Sequence, residues 1–248
     1  MNKTEQKKLL EEYQQKYLLY CSFASELHNL LEKVLKLYGI STAHIESRAK
    51  SVESLKGKLQ RKGKKYKPTL SEITDLAGIR IVVYSLDDID EVEEILPKLF
   101  SIDKTNSVDK GKELKSNEFG YLSRHYIVSL NEEHEKLIEY SKYIGLNAEI
   151  QVRTILEHAW AAIDHKIKYK SDIDLPEEQK RELNSIAASI ESNDKLFNTI
   201  DNMLKKNVKI DGVLDYVDEI VLKKQLQQCG CFRYLVRYQP LSALQLIL

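Results

Sequence analysis

The run L-N-A-E-I-Q-V-R-T at 146–154 constrains the fold more than any other stretch of this chain. Successive side chains of a strand point to opposite faces, so Ala148, Ile150 and Val152 share one side, and Glu149, Gln151 and Arg153 the other. One side belongs in a core. The other sets a carboxylate, an amide and a guanidinium in a row, which is costly to bury unless that side lines a polar cleft. An edge strand with a solvated polar face is the alternative reading. The strand is expected over Leu146–Val152, running directly into a helix from about Thr154 to Lys170.

Two more segments read as strands. The tail of S-E-I-T-D-L-A-G-I-R-I-V-V-Y, from Ile79 to Tyr84, is β-branched and apolar, with Asp75 and Gly78 ahead of it. Tyr121–Leu130 alternates, placing Tyr121, Ser123 and His125 on one face and Leu122, Arg124, Tyr126 and Val128 on the other. Helical spacing marks residues 5–37 through Leu10, Tyr13, Tyr17, Tyr20, Leu27, Leu31 and Leu35. Residues 39–47, with Gly39, Ser41 and Thr42, are expected to break that helix. Residues 48–67 read as part helix, then loop, ending at Pro68. An acidic amphipathic helix is expected over 87–99 and a polar surface loop over 103–118. Pro176 is expected to open a helix reaching about Lys206, with a further helix over Asp211–Leu226. On the helix after 154, Trp160, Ile163 and Ile167 read as core. The last 18 residues show no period. Strands alternating with helices in the middle and helices at both ends give an α/β or α+β class around a small mixed sheet. The expected division is a helical segment 1–45, a catalytic domain 46–172 and a helical extension 173–248.

Charge adds a local rather than a global signal. Of 248 residues, 38 are basic and 38 acidic, so net charge selects no partner. Nine basic residues and the single acid Glu53 lie between Arg48 and Lys67, which suits a polyphosphate or an RNA backbone. Arg48, Lys50, Ser54, Lys56, Lys58, Arg61 and Lys62 supply donors of the kind that grip β- and γ-phosphates. There is no G-x-x-x-x-G-K-[ST] and no G-x-G-x-x-G, so phosphates must be held by side chains rather than by a glycine cradle. The three cysteines, Cys21, Cys229 and Cys231, make neither a disulfide framework nor a zinc cluster. With no signal peptide and no apolar run of membrane length, a reduced, soluble, cytoplasmic protein without membrane association is expected.

Asp75 and Glu149, at the ends of adjacent strands, could hold one Mg²⁺ against a triphosphate, since that ion takes few protein carboxylates. A helix cap and a salt-bridge partner are the bland alternatives. Tyr121, Ser123 and His125 could stack on a base and bond to a ribose or phosphate.

Five motifs then occur together: S-R-A-K-S-V-E-S (47–54), D-L-A-G-I-R (75–80), F-G-Y-L-S-R-H-Y (119–126), E-I-Q-V-R-T (149–154) and H-A-W-A-A-I-D-H-K-I-K-Y-K (158–170). In that order they resemble the synthetase domain of RelA/SpoT-type alarmone synthetases, especially the small single-domain members. The resemblance covers about residues 46–171. It implies a nucleotidyltransferase-like sheet and transfer of pyrophosphate from ATP to the 3′-hydroxyl of GDP or GTP. It assigns Arg48, Lys50, Ser54 and Lys56 to the ATP phosphates, and Arg48 with Arg80 to the adenine. Asp75 and Glu149 would bind Mg²⁺, Glu149 also serving as base. Tyr121 would stack on the acceptor's guanine. Ser123, His125, Gln151, Arg153, His158, Ala161 and Lys170 would position the acceptor, with His165 on the site wall.

The segment D-K-G-K-E-L-K-S-N-E-F-G-Y at 109–121 departs from the family's approach to the stacking tyrosine. Phe119 stands where asparagine is usual and the proline is missing, while Lys110, Lys112 and Lys115 could still serve the acceptor's 5′-phosphates. The form F-G-Y-x-S-x-H-Y resembles the toxin branch, whose members modify the tRNA 3′ end or make adenosine alarmones. The alternative acceptor is therefore tRNA, docked on the basic 56–67 surface. Neither reading includes a hydrolase half, so removal of the product would fall to a separate hydrolase or antitoxin. A homo-oligomer is also compatible with the apolar faces of the terminal helices.

Overall fold

The computed structural model describes residues 2–60, 67, 69–109, 123–170 and 176–228, the side chains of 168–170 and 206–228 excepted. The chain divides into two compact units, Met1–Asn198 and Thr199–Leu248.

Helix α1 spans Lys3–Leu37 and begins with a reciprocal cap, in which Asn2 accepts from the Glu5 amide and Glu5 from the Asn2 amide. Leu9, Tyr13, Tyr20, Phe23, Leu27, Leu31 and Leu35 form its buried stripe. Gly39 stops it: with φ +76 it donates to Lys36 O, and the Ile40 amide reaches back to Leu35 O at 2.9 Å. That left-handed step is the reason for glycine here.

The chain then enters strand β1, Thr42–Ala49. Residues 39–47 therefore do more than interrupt the helix. The strand was hidden because its outward residues His44, Glu46 and Arg48 are polar and only Ile45 and Ala49 pack against the core. Helix α2 is Val52–Gln60, β2 is Ala77–Val83, α3 is Leu86–Leu99 and β3 is Phe100–Asp109. The expected loop 103–118 is corrected over 103–109, which continues β3; residues 110–122 lie outside the described residues. Strand β4 (Arg124–Leu130) leads into a single helical turn, α4 (Glu132–Glu135). Then come β5 (Ala148–Thr154), α5 (Ile155–Lys170) and α6 (Glu177–Gln228). One continuous 52-residue helix replaces the two expected after Pro176.

The sheet runs β1-β2-β5-β4-β3 and is mixed. Strands β2 and β5 are parallel neighbours, and β1/β2, β4/β5 and β3/β4 are antiparallel. Ile79, Ile81, Val83, Ala148, Ile150, Val152, Val128 and Leu130 face the stripes of α1 and α3 in one core. Full burial of each such branched side chain contributes about 1.5–3 kcal/mol. The opposite face carries Arg80, Glu149, Gln151 and His125, as alternation required. Helix α5 packs on β2 and β5. Trp160 is buried there, while Ile163 is 57% exposed, so the i, i+3, i+7 reading of α5 as core holds for Trp160 and fails at Ile163. No helix among the described residues is long and apolar enough to cross a membrane.

Candidate active site

The parallel register aligns Gly78 with Glu149 and Arg80 with Gln151. Across the antiparallel seams Arg48 lies opposite Gly78, Glu46 opposite Arg80, and His125 opposite Gln151. One face of four strands thus collects Glu46, Arg48, Arg80, Glu149, Gln151, Arg153 and His125. Gly78 sits between Arg48 and Glu149, where a Cβ would fit at 3.8 Å from Arg48 O. Any longer side chain would project onto the face between them, which explains a small residue in D-L-A-G-I-R.

Glu149 is held from two sides. Its Oε1 lies 2.9 Å from His125 Nδ1, and its Oε2 accepts from Gln151 Nε2 at 2.7 Å. Burial alone would raise its carboxyl, but the hydrogen bond and charge of His125, with the Gln151 amide, hold it below the usual carboxylate range. Gln151 Oε1 in turn accepts from Arg153 Nη2 and, at 3.5 Å, from Arg80 Nε. The polar row of E-I-Q-V-R is therefore a chain of mutually oriented groups, which is how Arg153 stands burial to 3% exposure.

Asp75 lies in the turn before β2 and forms ion pairs with Lys50 at 2.9 Å and Lys58 at 2.8 Å. Burial pushes its carboxyl up, yet Lys50 and Lys58 more than reverse this, so it too is ionised. Lys50 is fixed in place: its amide donates to Leu76 O at 2.8 Å and its carbonyl accepts from the buried Tyr13 hydroxyl at 2.5 Å. Ser54 stands in the first turn of α2, where its amide donates to Ser51 Oγ and its hydroxyl accepts from it. Lys56 is exposed on α2. Arg48 is exposed and makes no ion pair among the described residues.

The structure thus brings Asp75, Glu149, Arg80, His125, Gln151 and Arg153 together, with Arg48, Lys50 and Ser54 at the β1–α2 edge. Ser123 is buried just ahead of β4, its hydroxyl meeting no partner among the described residues. His158 and Ala161 lie on α5, and the His158 ring packs edge-on against His44 with centroids 5.1 Å apart. Tyr121 falls outside the described residues, as do Lys110, Lys112, Lys115, Arg61 and Lys62, and so does the side chain of Lys170. Two side chains were not singled out from the sequence. Glu46 holds Arg80 Nη1 at 2.6 Å, and His44 lies 3.3 Å from the same carboxylate. The alternation of His44, Glu46 and Arg48 against Ile45 and Ala49 was the available signal. Lys58, read only as one of a basic run, is half of the Asp75 clasp.

Thr154 ends β5 and caps α5: Glu157 N donates to Thr154 Oγ1 and Thr154 N to Glu157 Oε2, a capping box. The Thr154 hydroxyl also donates to Asp194 Oδ2 of α6 at 2.8 Å. Burial pushes the Glu157 carboxyl up to about 7.

A family profile described as the region found in RelA and SpoT proteins matches residues 47–174. A GTP pyrophosphokinase, YwaC of Bacillus subtilis strain 168, is 31% identical over 188 residues, spanning 73% of this chain and 86% of that protein. The crystal structure of small alarmone synthetase 2 from Bacillus subtilis superposes with a TM-score of 0.64 at 30% identity, covering 77% of this chain and 99% of that one. Small alarmone synthetase 1 from the same organism, bound to its product pppGpp, gives a TM-score of 0.65 at 26% identity, covering 79% and 99%. With the matched region covering more than half of the chain and every residue of the polar face from Arg48 onward, the chain belongs to the RelA/SpoT family.

Proposed function

We propose that this enzyme transfers the pyrophosphoryl group of ATP to the 3′-hydroxyl of GDP or GTP, giving (p)ppGpp. The observation that carries the reading is the Glu149 carboxylate, fixed between His125 Nδ1 and Gln151 Nε2, with Asp75 near enough to act on it electrostatically. The names of YwaC and of the pppGpp-bound synthetase support the same activity.

Such a transfer needs in-line positioning and neutralised phosphate charge more than covalent chemistry. Arg48, Lys50, Ser54 and Lys56 grip the donor phosphates in this reading, with Arg48 and Arg80 flanking the adenine. Lys50 and Lys58, clasped on Asp75, can turn toward an arriving triphosphate. Glu149 takes the proton of the attacking hydroxyl, and His125 and Gln151 fix its orientation. Tyr121 stacks on the acceptor base, while Ser123, Arg153, His158, Ala161 and Lys170 shape its pocket.

Nucleotide pyrophosphotransferases use a divalent metal, and we assign Mg²⁺. Two hard, ionised carboxylates on adjoining strand ends fit that ion, so Asp75 and Glu149 would hold it. When bound it would neutralise charge on the donor phosphates. The proposal also includes a cytoplasmic location, a homo-oligomeric state, residues 46–172 as the catalytic domain, and a separate hydrolase or antitoxin.

Incubation with γ-labelled ATP, Mg²⁺ and GDP, GTP, ATP or deacylated tRNA tests it. Label on GDP or GTP is expected. Label on tRNA alone would replace this acceptor with the alternative, and no label anywhere would overturn the reading. Tyr121→Ala is expected to raise the acceptor KM by the worth of a stacked base, ~1–3 kcal/mol.

A further inference from the structure

At the β1 edge of the nucleotide face, apart from the Asp75–Glu149 pair, lies a second constellation. His44 and Glu46 project from β1 and His158 from α5, and one ligand atom of each lies within 4.8 Å of the others. We propose that His44, Glu46 and His158 bind a divalent transition-metal ion of the zinc type, clamping β1 to α5.

The donor set carries the choice of ion. Two imidazoles and one carboxylate suit Zn²⁺ and its neighbours, whereas Mg²⁺ demands oxygen ligands. Three protein ligands leave a fourth position for water or an incoming group. Ligands around tetrahedral zinc stand about 3.3–3.6 Å apart, from bond lengths of ~2.0–2.2 Å. His44 Nε2 and Glu46 Oε1 are already 3.3 Å apart. The remaining gaps are at most 4.8 Å, and the side chains of His44 and Glu46 are 41% and 49% exposed.

The third ligand is the one in need of a partner. His158 Nδ1 is buried and meets no hydrogen-bond partner among the described residues. The metal would also reach the donor side. Glu46 offers its other oxygen to Arg80 at 2.6 Å, so an ion on Oε1 competes for the carboxylate that positions Arg80.

The test uses the full chain stripped of metal with a chelator and titrated with Zn²⁺ by calorimetry, with Co²⁺ absorption reporting imidazole coordination. A single equivalent is expected, together with a higher unfolding temperature, because an ion bound only by the folded state stabilises it. His44→Ala and His158→Ala should each weaken binding by about 100-fold or more, beyond the cost of losing an outer partner of a ligand. Glu46→Gln is a near-isosteric third variant that preserves shape and should weaken it as well. The equivalent should survive in Asp75→Asn with Glu149→Gln and in a variant with all three cysteines changed to Ser. Binding that is absent, or that persists in the His44 and His158 variants while disappearing in the carboxylate or cysteine variants, would overturn the proposal. His134→Ala, remote from the cluster, controls for loss of any histidine, and far-ultraviolet circular dichroism confirms that each variant is folded.

Discussion

Strand β5 presents two regions back to back. On its core side Ala148, Ile150 and Val152 are fully buried against the sheet's apolar layer. On the other side Glu149, Gln151 and Arg153 are half-buried or buried too, yet each is oriented by its neighbour. Both sides are ordered, but for different reasons. Apolar burial is non-directional and tolerates similar shapes. The polar row depends on every donor meeting its acceptor, so it specifies geometry and contributes less net stability. The core side should therefore answer to volume and the polar side to chemistry.

Glu149→Gln is the sharpest way to break this division. It nearly preserves shape and should reduce transfer by ~10²–10⁴-fold, the usual contribution of a positioned base. The urea midpoint should change little. If transfer survives, Glu149 is not the base. One residue further along, Ile150→Ala should do the reverse, lowering stability by ~2–5 kcal/mol through lost burial and a cavity. Activity per folded molecule should be largely retained, and a fold as stable as wild type would remove Ile150 from the core.

Glu157 tests the boundary between the two regions. Burial raises its carboxyl from the ordinary 4.5 to about 7, so folding favours the protonated acid. Stability from this group is complete below about 4.5 and is lost as pH climbs through about 7. Glu157→Gln keeps the capping box and should flatten that fall, worth up to about 3 kcal/mol at ~1.36 kcal/mol per pH unit. Urea unfolding at about pH 5 and about pH 8 measures it, and an unflattened slope would assign the loss elsewhere. The smallest effect belongs to Glu46→Gln, which loosens Arg80. The donor KM should rise about tenfold, near the ~1.5–3 kcal/mol of a charged hydrogen bond, with the acceptor KM unchanged. A matching rise in the acceptor KM would place Arg80 on the other substrate.

Much of this was legible in the chain. A β-branched apolar run located β2, and period-two alternation located β4 and β5 and assigned Glu149, Gln151 and Arg153 to one face, because side-chain direction in a strand follows from position alone. Gly39 announced the end of α1 by its freedom at positive φ. Strand β1 was not legible, since a partly exposed strand with polar outward residues lacks a hydrophobic signature until its partner β2 is known. Residues 103–109 read as loop for the same reason, β3 being an edge strand. The helix after Pro176 read as two because the apolar period lapses between Lys206 and Asp211, while the helical backbone continues through it.

By itself the sequence determined the family, the apolar and polar faces and the identities of the ionisable groups, because these depend on residue type and spacing. Only the tertiary structure decided which charges meet. Asp75 is clasped by Lys50 and Lys58, Glu46 takes Arg80, and His44 is brought against His158 from more than a hundred residues away. Strand order and register create those pairings, and neither is written in local periodicity.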